Sequence, residues 1–204
     1  MNEQDAKKIL TKELKFSESD MSHLETFKNM LLEYNVKYNL ISKNTEKLIW
    51  ARHILDSAQL IRYIDFTAKG NLVDFGSGAG FPGIILAIFN KNPEFHVKLY
   101  EKSPVKREFL SKIKNKINIE IEILENVYEK EISANIIVSR AFKKLDQIIK
   151  ISREIIKKPH KMIILKGKNA QAEINNVSLA LNYSYKLENS ITDIDSKIII
   201  ISAS

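Results

Sequence analysis

The sequence predicts an α/β protein in which a mostly parallel, doubly wound sheet follows an N-terminal helical segment. Residues 1–66 place apolar side chains at the three- and four-residue spacing of amphipathic helices. From residue 71 onward, short apolar runs alternate with helical periods, which is typical of parallel strands joined by right-handed crossovers. A glycine-rich turn at residues 76–83 separates the first apolar run from the next helix. We expect a helical cap at 1–66 and one compact domain at 67–204.

The composition is that of an ordinary globular protein, and it excludes some chemistry. The 204 residues suffice for one core with a modest extension, and 44% of them are hydrophobic. The sequence contains no cysteine, so disulfides, thiolate metal sites and cysteine nucleophiles are excluded. No apolar run is long enough to cross a membrane, and the N-terminus lacks a signal-peptide pattern. We therefore expect a cytoplasmic protein with no membrane partner.

The charge balance favours a polyanionic partner such as RNA. The chain has 32 Lys and Arg against 25 Asp and Glu, a formal net charge of +7. Only five of the basic residues are arginines, so a lysine-rich composition would produce the same excess without any nucleic-acid site. Charge supports RNA binding but does not establish it.

Three helices are predicted in the N-terminal segment. The first covers residues 6–16, and the third begins at a cap formed by Asn44 or Thr45. The apolar positions are Met21, Leu24, Phe27, Leu31, Tyr34 and Tyr38 in the second helix and Trp50, Ile54, Ala58 and Ile61 in the third. Each set forms one face of a helix.

The third predicted helix carries three polar residues that need an interpretation. Arg52 and Asp56 stand at i and i+4, the spacing of a solvated surface ion pair. His53 is interpreted as a hydrogen-bonded structural histidine, because no second histidine or carboxylate stands beside it at metal-ligand spacing. We predict no metal site.

The rest of the chain supplies the strands and helices of a seven-stranded sheet. Strands are predicted at 72–75, 96–101, 119–123, 134–138, 161–165, 183–187 and 197–201, and helices at 83–89, 105–117, 145–156 and 170–181. Ser103 suits the N-cap of the second of these helices and Pro104 its first position. The last two strands are expected to form a hairpin that adds an antiparallel edge.

The turn after the first strand predicts a ligand site. Glycines at alternate positions follow the strand, and a helix begins at Gly83 with Pro82 in its first turn. This arrangement lets a ligand approach bare backbone and directs a helix N-terminus towards it.

Two cofactors fit this turn. From Gly78 to Gly83 the sequence reads G-x-G-x-x-G, the dinucleotide fingerprint. From Asp74 it reads D-x-G-x-G-x-G, the pattern of S-adenosylmethionine (AdoMet) loops. A carboxylate at the strand end opposes a pyrophosphate but suits the sulfonium and ammonium of AdoMet. We therefore favour AdoMet, with contacts at Asp74, Gly76 and Gly78, and the predicted fold is a Rossmann-like class I methyltransferase.

The ends of the next two strands complete the predicted cofactor site. Glu101 ends the second strand, where an acid would hold the ribose hydroxyls of a nucleoside. After the third strand, Val127 could pack on the adenine face, and backbone groups of Tyr128 could bind the adenine edge.

The fourth and fifth strands end where the methyl group must meet its acceptor. Ser139 and Arg140 end the fourth strand, and Lys166 ends the fifth. Arg140 and Lys166 are positioning candidates that could hold the cofactor carboxylate or substrate phosphates.

The sequence at residues 139–142 also narrows the acceptor. It reads Ser-Arg-Ala-Phe rather than the Asn/Asp-Pro-Pro-aromatic motif of amine methylation, and pyrimidine C5 chemistry would need a cysteine. Alkylation of a ring nitrogen remains. Guanine N7 has a free lone pair and needs no general base, so in-line alignment would supply the catalysis, roughly 7–11 kcal/mol. Because the guanine becomes cationic, Arg140 suits an anion-holding role better than contact with N7.

Several stretches together resemble one family. They are 38–40 (Tyr-Asn-Leu), 51–57 (Ala-Arg-His-Ile-Leu-Asp-Ser), 74–83 (Asp-Phe-Gly-Ser-Gly-Ala-Gly-Phe-Pro-Gly), 106–110 (Lys-Arg-Glu-Phe-Leu), 139–142 (Ser-Arg-Ala-Phe) and 165–168 (Leu-Lys-Gly-Lys). From about residue 20 onward, the chain resembles the bacterial 16S ribosomal RNA guanine-N7 methyltransferases, the glucose-inhibited division protein B family.

The resemblance implies AdoMet-dependent N7 methylation of a guanine in the decoding-region loop of 16S rRNA, as naked RNA or in the small subunit. By position it assigns cofactor contacts to Gly76, Phe81, Val127, Tyr128 and Arg140. It also draws attention to Arg52, His53 and Asp56, which either touch RNA or join the helical cap to the sheet. Arg52, His53, Ser139 and Lys166 are the substrate-side candidates.

Two rival functions are also compatible with the sequence. One is an NAD-dependent oxidoreductase that uses the glycines of the dinucleotide pattern, and the other is a non-catalytic RNA-binding assembly factor that keeps the fold alone. Nothing in the sequence indicates a stable oligomer, so a monomer is expected.

Overall fold

The computed structural model of the chain describes residues 1–128, 131–177 and 183–203. Its strands are β1 (Gly70–Phe75), β2 (Phe95–Tyr100), β3 (Glu122–Leu124), β4 (Ile136–Arg140), β5 (His160–Lys166), β6 (Tyr183–Asn189) and β7 (Lys197–Ala203). Within these residues they form a seven-stranded sheet in the order β3-β2-β1-β4-β5-β7-β6. β1 to β5 pair in parallel, whereas β7 lies antiparallel between β5 and β6. The predicted fold class is confirmed.

Helices precede the sheet and alternate with its strands. The α-helices are α1 (Glu3–Lys8), α2 (Glu18–Tyr38), α3 (Lys43–Glu46), α4 (Asp56–Ala58), α5 (Gly83–Phe89), α6 (Pro104–Ile117), α7 (Leu145–Ile155) and α8 (Ala170–Asn175). A π-helical turn, Ile9–Glu13, continues α1. As predicted, Ser103 is the N-cap residue of α6 and Pro104 its first residue.

The third N-terminal helix differs from the prediction. Neither Asn44 nor Thr45 caps it: the short helix α3 starts after Ser42, and the Thr45 hydroxyl donates to the Ser42 carbonyl at 2.9 Å. The chain then runs through a π-helical turn, the short helix α4 and a 3₁₀ turn, which are Trp50–Leu55, Asp56–Ala58 and Gln59–Tyr63. Buried residues occupy neighbouring positions here rather than one stripe, so packing outweighs the regular helical period.

Three smaller boundaries also differ. The alternation at 119–123 is not all strand, because β3 has three residues while Ile119 and Ile121 are buried in the connection that precedes it. Pro82 is the N-cap residue of α5 rather than part of its first turn. Helix α8 ends at Asn175, and residues 178–181 of the predicted helix lie outside the described residues.

The N-terminal segment shares a hydrophobic core with one face of the sheet. A single buried cluster contains side chains from α1, α2, α5, α6 and β1, and a second cluster lies against α7 and α8. Phe27 of α2 packs with its ring centroid 5.2 Å from that of Phe81, in the glycine-rich turn, and 6.3 Å from that of Phe109 in α6. The N-terminal helices therefore help to position the turn.

Candidate active site

The glycine-rich turn lies at the point where the strand order reverses, with β1 between β2 and β4. Open α/β sheets bind their ligands at such switch points. A cavity of about 450 Å³, which we call the glycine-turn cavity, is bordered by the segments that follow β1, β2, β3 and β4. Seven of the eight predicted cofactor residues line it, namely Gly76, Gly78, Phe81, Glu101, Val127, Tyr128 and Arg140.

The acid predicted to hold a ribose is fixed by main-chain groups. Glu101 accepts hydrogen bonds from the Gly78 N–H at Oε2 and from the Ser103 N–H at Oε1, both at 2.8 Å. Gly78 has φ of +58°, and a Cβ atom added there would meet only the Gly76 carbonyl oxygen, at 3.8 Å. The left-handed backbone thus turns an N–H towards Glu101 and leaves the space above Gly78 open. Glu101 keeps lone pairs for a diol.

Asp74, the eighth predicted cofactor residue, has a different position from the expected one. It is completely buried, does not line the cavity, and accepts a hydrogen bond at Oδ2 from the Gly83 N–H at 2.9 Å. A Cβ at Gly83 would lie 2.7 Å from the same oxygen, so only glycine allows this approach. Burial raises the pKa of Asp74 to about 7, while the Gly83 N–H opposes the shift. Asp74 holds the start of α5 in place rather than contacting a ligand directly.

The adenine end of the predicted site is less open than expected. Val127 is buried at the cavity wall, whereas the Tyr128 side chain is 52% exposed. The backbone N–H of Tyr128 donates to Asn126 Oδ1 at 3.0 Å, so this predicted adenine contact already has a partner. Sequence reasoning missed Leu40 and Ile41, which line the cavity from the N-terminal side. Their signal was an apolar pair directly after the end of α2.

Arg140 ties the sheet to the N-terminal segment. Its Nη1 donates to the Arg52 carbonyl at 3.1 Å, its Nη2 donates to His53 Nδ1 at 2.9 Å, and the guanidinium lies 4.7 Å from the ring centroid of Phe81. Arginine can only donate, so His53 Nδ1 accepts, and Nε2–H donates to Thr45 Oγ1 at 2.8 Å. Burial, together with the nearby arginines, lowers the pKa of His53 to about 3. His53 is therefore neutral, with both nitrogens engaged.

The predicted surface pair between Arg52 and Asp56 is wrong. Arg52 pairs with Asp193 in the β6–β7 connection, and Asp56 lies 3.8 Å from Arg140 Nη1. The π-helical turn explains the difference, because its i→i+5 hydrogen bonds move residues i and i+4 out of alignment. Burial raises the pKa of Asp56, and the charge of Arg140 opposes that shift.

A second cavity of about 390 Å³ adjoins the first and shares Arg140 and Ala141 with it. We call it the Asp56 cavity. Its other lining residues are Thr45, Arg52, His53, Asp56, Leu165, Lys166, Gly167, Thr192 and Ser196. Three of the four substrate-side candidates, Arg52, His53 and Lys166, therefore line the Asp56 cavity.

Two of those candidates need correction. Ser139 is completely buried, and its hydroxyl donates to the Phe75 carbonyl at 3.1 Å, so it cannot reach a substrate. Lys166 lines the Asp56 cavity, but its ammonium donates to the Lys143 carbonyl at 2.7 Å and pairs with Glu173 at 2.8 Å. Its charge is already compensated, which weakens the predicted anion-holding role.

The residues around the glycine-turn cavity fit AdoMet. Glycine backbone, an acid at the end of β2 and apolar walls from Phe81 and Val127 suit a nucleoside. Together with the strand order, this site defines a Rossmann-like, AdoMet-dependent methyltransferase.

The family follows from comparison with known proteins. A family model described as GidB, rRNA small subunit methyltransferase G, matches residues 20–199. The chain belongs to this family.

Individual relatives agree with the family. Ribosomal RNA small subunit methyltransferase G of Rickettsia felis (strain ATCC VR-1525 / URRWXCal2) is 40% identical over 88% of this chain and 91% of its own length. The protein of the same name from Pelagibacter ubique (strain HTCC1062) is 36% identical over 84% and 83%. Among solved structures, a SAM-dependent methyltransferase from Aquifex aeolicus has a TM-score of 0.56 at 10% identity, covering 72% of this chain and 88% of that one. That likeness concerns the fold alone.

The described residues were also compared with what a membrane span and a metal site require, because both bear on function. Across residues 1–128, 131–177 and 183–203, no helix is both long and apolar enough to cross a bilayer. The same residues contain no group of three or more His, Asp or Glu side chains placed to hold a metal ion.

Proposed function

We propose that the chain transfers the methyl group of AdoMet to N7 of a guanine in the decoding-region loop of 16S rRNA, by in-line transfer without a general base. The observation that carries the proposal is the contact between two cavities at Arg140 and Ala141. One cavity suits a nucleoside cofactor and the other can admit an acceptor base. Membership of an rRNA methyltransferase family supports RNA as the acceptor.

Residues of the glycine-turn cavity would hold the cofactor. Glu101 would accept hydrogen bonds from the ribose hydroxyls, and Phe81 and Val127 would cover apolar parts of the nucleoside. Bound AdoMet supplies an electrophilic methyl group on a sulfonium. Arg140 borders both cavities, so it would orient the two reactants relative to each other.

The surroundings suit a nucleophile that needs no deprotonation. His53 has both ring nitrogens in hydrogen bonds and a pKa of about 3, so it is a poor base near neutral pH. Guanine N7 attacks with its own lone pair, and the chain contributes alignment and exclusion of water, worth roughly 7–11 kcal/mol. The nearby Asp56 carboxylate, 3.8 Å from Arg140, reduces repulsion between that arginine and the cationic product.

Basic and aromatic side chains of α2 and α6 would engage RNA. Lys106 of α6 lines the cavity, Lys112 lies 5.1 Å from the ring centroid of Tyr34, and Lys37 lies 5.1 Å from that of Tyr38. Tyr38 is 37% exposed and could stack on an unpaired base. Lysine contacts to phosphates release counterions, so RNA binding should weaken steeply as salt increases.

The test uses small subunits and 16S rRNA from cells that lack the protein, incubated with the purified chain and labelled AdoMet. We expect one labelled 7-methylguanosine per 16S rRNA by mass mapping, and no labelling where that guanosine is replaced by 7-deazaguanosine. Label at a different atom would refute the N7 assignment. RNA binding without label would support the assembly-factor alternative, and calorimetry with NAD in place of AdoMet tests the oxidoreductase.

A further inference from the structure

The two carboxylate oxygens of Asp56 have different surroundings. Oδ1 accepts hydrogen bonds from Gln59 Nε2 at 2.9 Å and from Thr192 Oγ1 at 2.8 Å, with Ser190 Oγ at 3.3 Å. Oδ2 lies 3.8 Å from Arg140 Nη1, which is beyond hydrogen-bond distance. Asp56 borders the second cavity with 16% of its side chain exposed. The protein therefore fixes one oxygen, and the other keeps its capacity to accept.

The cations of this cavity already have anionic partners. Arg52 pairs with Asp193, Lys166 pairs with Glu173, and Arg140 faces Asp56 itself. A phosphate would find no uncompensated positive charge on these three residues. The cavity suits a group that donates hydrogen bonds, since Asp56 is a buried carboxylate with a free lone pair.

We propose that the Asp56 cavity receives the acceptor guanine and that Asp56 Oδ2 accepts hydrogen bonds from both its N1–H and its N2–H₂. The inference rests on the proposed function and adds the residue that selects the base. Adenine also has an N7 lone pair, but it presents an acceptor at N1 where guanine presents a donor. Enzymes that act on an extruded base bind its Watson–Crick edge in this way.

The position of the cavity agrees with this role. Arg140 and Ala141 line both cavities, so a base held at Asp56 lies beside the glycine-turn cavity. Binding the Watson–Crick edge leaves N7, on the other side of the ring, free to react. Methylation places positive charge on the purine, and the hydrogen bond to Asp56 strengthens as that charge develops. Asp56 is in this sense a catalytic residue as well as a specificity residue.

The test compares 16S rRNA with guanosine, inosine or adenosine at the target position, using wild type and Asp56→Asn in single-turnover assays. Inosine lacks the N2 amino group, so wild type should modify it about tenfold or more slowly than guanosine. In the variant, the donors from Gln59 and Thr192 keep the amide oxygen at the Oδ1 position, and the amide NH₂ then occupies the Oδ2 position. That NH₂ can donate to adenine N1 but cannot accept from guanine. The guanosine-to-adenosine rate ratio should fall by about tenfold or more.

The rate ratio separates recognition from stability, because a change in the folded fraction affects both substrates equally. Asp20→Asn is the matched control, because Asp20 is a buried acid like Asp56, pairs with Lys91 and lines neither cavity. Its guanosine-to-adenosine rate ratio should equal that of wild type. Equal rates for inosine and guanosine with wild type, or an unchanged ratio in Asp56→Asn, would overturn the inference while N7 methylation by wild type still upholds the proposed function. If wild type modifies no guanosine, both fail. If Asp56→Asn does not fold, the inosine rate with wild type decides.

Discussion

The two adjoining cavities are built in different ways. One wall of the glycine-turn cavity is main chain: Gly76 and Gly78, both at positive φ, line it, and the Gly78 N–H donates to Glu101. The Asp56 cavity is shaped by side chains that reach it from the N-terminal segment, β4, β5 and the β6–β7 connection. A site made from backbone is sensitive to added atoms, whereas a site made from compensated charges is sensitive to the loss of one partner.

Removal of Arg140 should have the largest effect, because it leaves Asp56 buried without a cation. We expect Arg140→Ala to lower the free energy of unfolding by about 3–5 kcal/mol, measured by urea denaturation. Arg52→Ala is the matched control: its side chain is 43% exposed and pairs with Asp193 at the surface, so the loss should be about 0–1 kcal/mol. Equal losses in the two variants would show that the buried network of the Asp56 cavity is no more important than a surface pair.

Glu101→Gln should weaken AdoMet binding by about 1.5–3 kcal/mol, roughly tenfold to a hundredfold, in calorimetry. The amide NH₂ of glutamine would face one of the N–H groups of Gly78 and Ser103, which are both donors. Glu108→Gln, on an exposed part of α6, should bind AdoMet like wild type. Unchanged affinity in Glu101→Gln would remove the acid from the cofactor site.

Gly78→Ala should weaken AdoMet binding by about 1–3 kcal/mol, because the methyl group enters the cavity and the residue must hold φ of +58°. Gly167→Ala is the control, since a Cβ there has no atom within 4 Å and the residue lies beside the Asp56 cavity. It should leave AdoMet affinity unchanged. Similar losses in both variants would contradict the distinction between the cavities.

The pH dependence of stability should have opposite signs for two buried groups, His53 of the Asp56 cavity and Asp74 beside the glycine-rich turn. His53 has a pKa of about 3 in the folded chain and 6.5 in the unfolded chain, so between these values only the unfolded chain binds the proton. The free energy of unfolding of wild type, relative to that of His53→Gln, should therefore fall as pH drops from 6.5 towards 3. Asp74 has a pKa of about 7 in the folded chain and 3.8 in the unfolded chain, so between these values only the folded chain binds the proton. The free energy of unfolding of wild type, relative to that of Asp74→Asn, should therefore fall as pH rises from 3.8 to 7. Each slope is at most about 1.4 kcal/mol per pH unit. Urea denaturation between pH 4.5 and 6.5 measures both, and slopes of the same sign would contradict the assignment.

Local sequence predicted the glycine-turn cavity well, because its geometry is encoded in consecutive residues. A strand, spaced glycines and a helix start indicated Gly76 and Gly78, the ends of the following strands indicated Glu101 and Val127, and the family resemblance indicated Phe81; all of them line this cavity. The role of Asp74 was missed because the pattern gives its position in the strand but not the side of the turn that its carboxylate faces.

The Asp56 cavity could not be predicted in the same way. The partner of Arg52 lies 141 residues away in the chain, and a π-helical turn removes the i, i+4 relation on which the expected pair depended. Ser139 was misjudged because β4 is a central strand buried on both faces, so its position near the strand end does not reveal whether the side chain reaches solvent. Pairing over such distances depends on the assembled fold.

The two outer strands of the sheet have a consequence for behaviour in concentrated solution. β3 spans only Glu122–Leu124, and β6 carries an ion pair between Lys186 and Glu188. Short or charged border strands discourage a neighbouring chain from adding its own strand. The sheet therefore has built-in protection against aggregation along both of its borders.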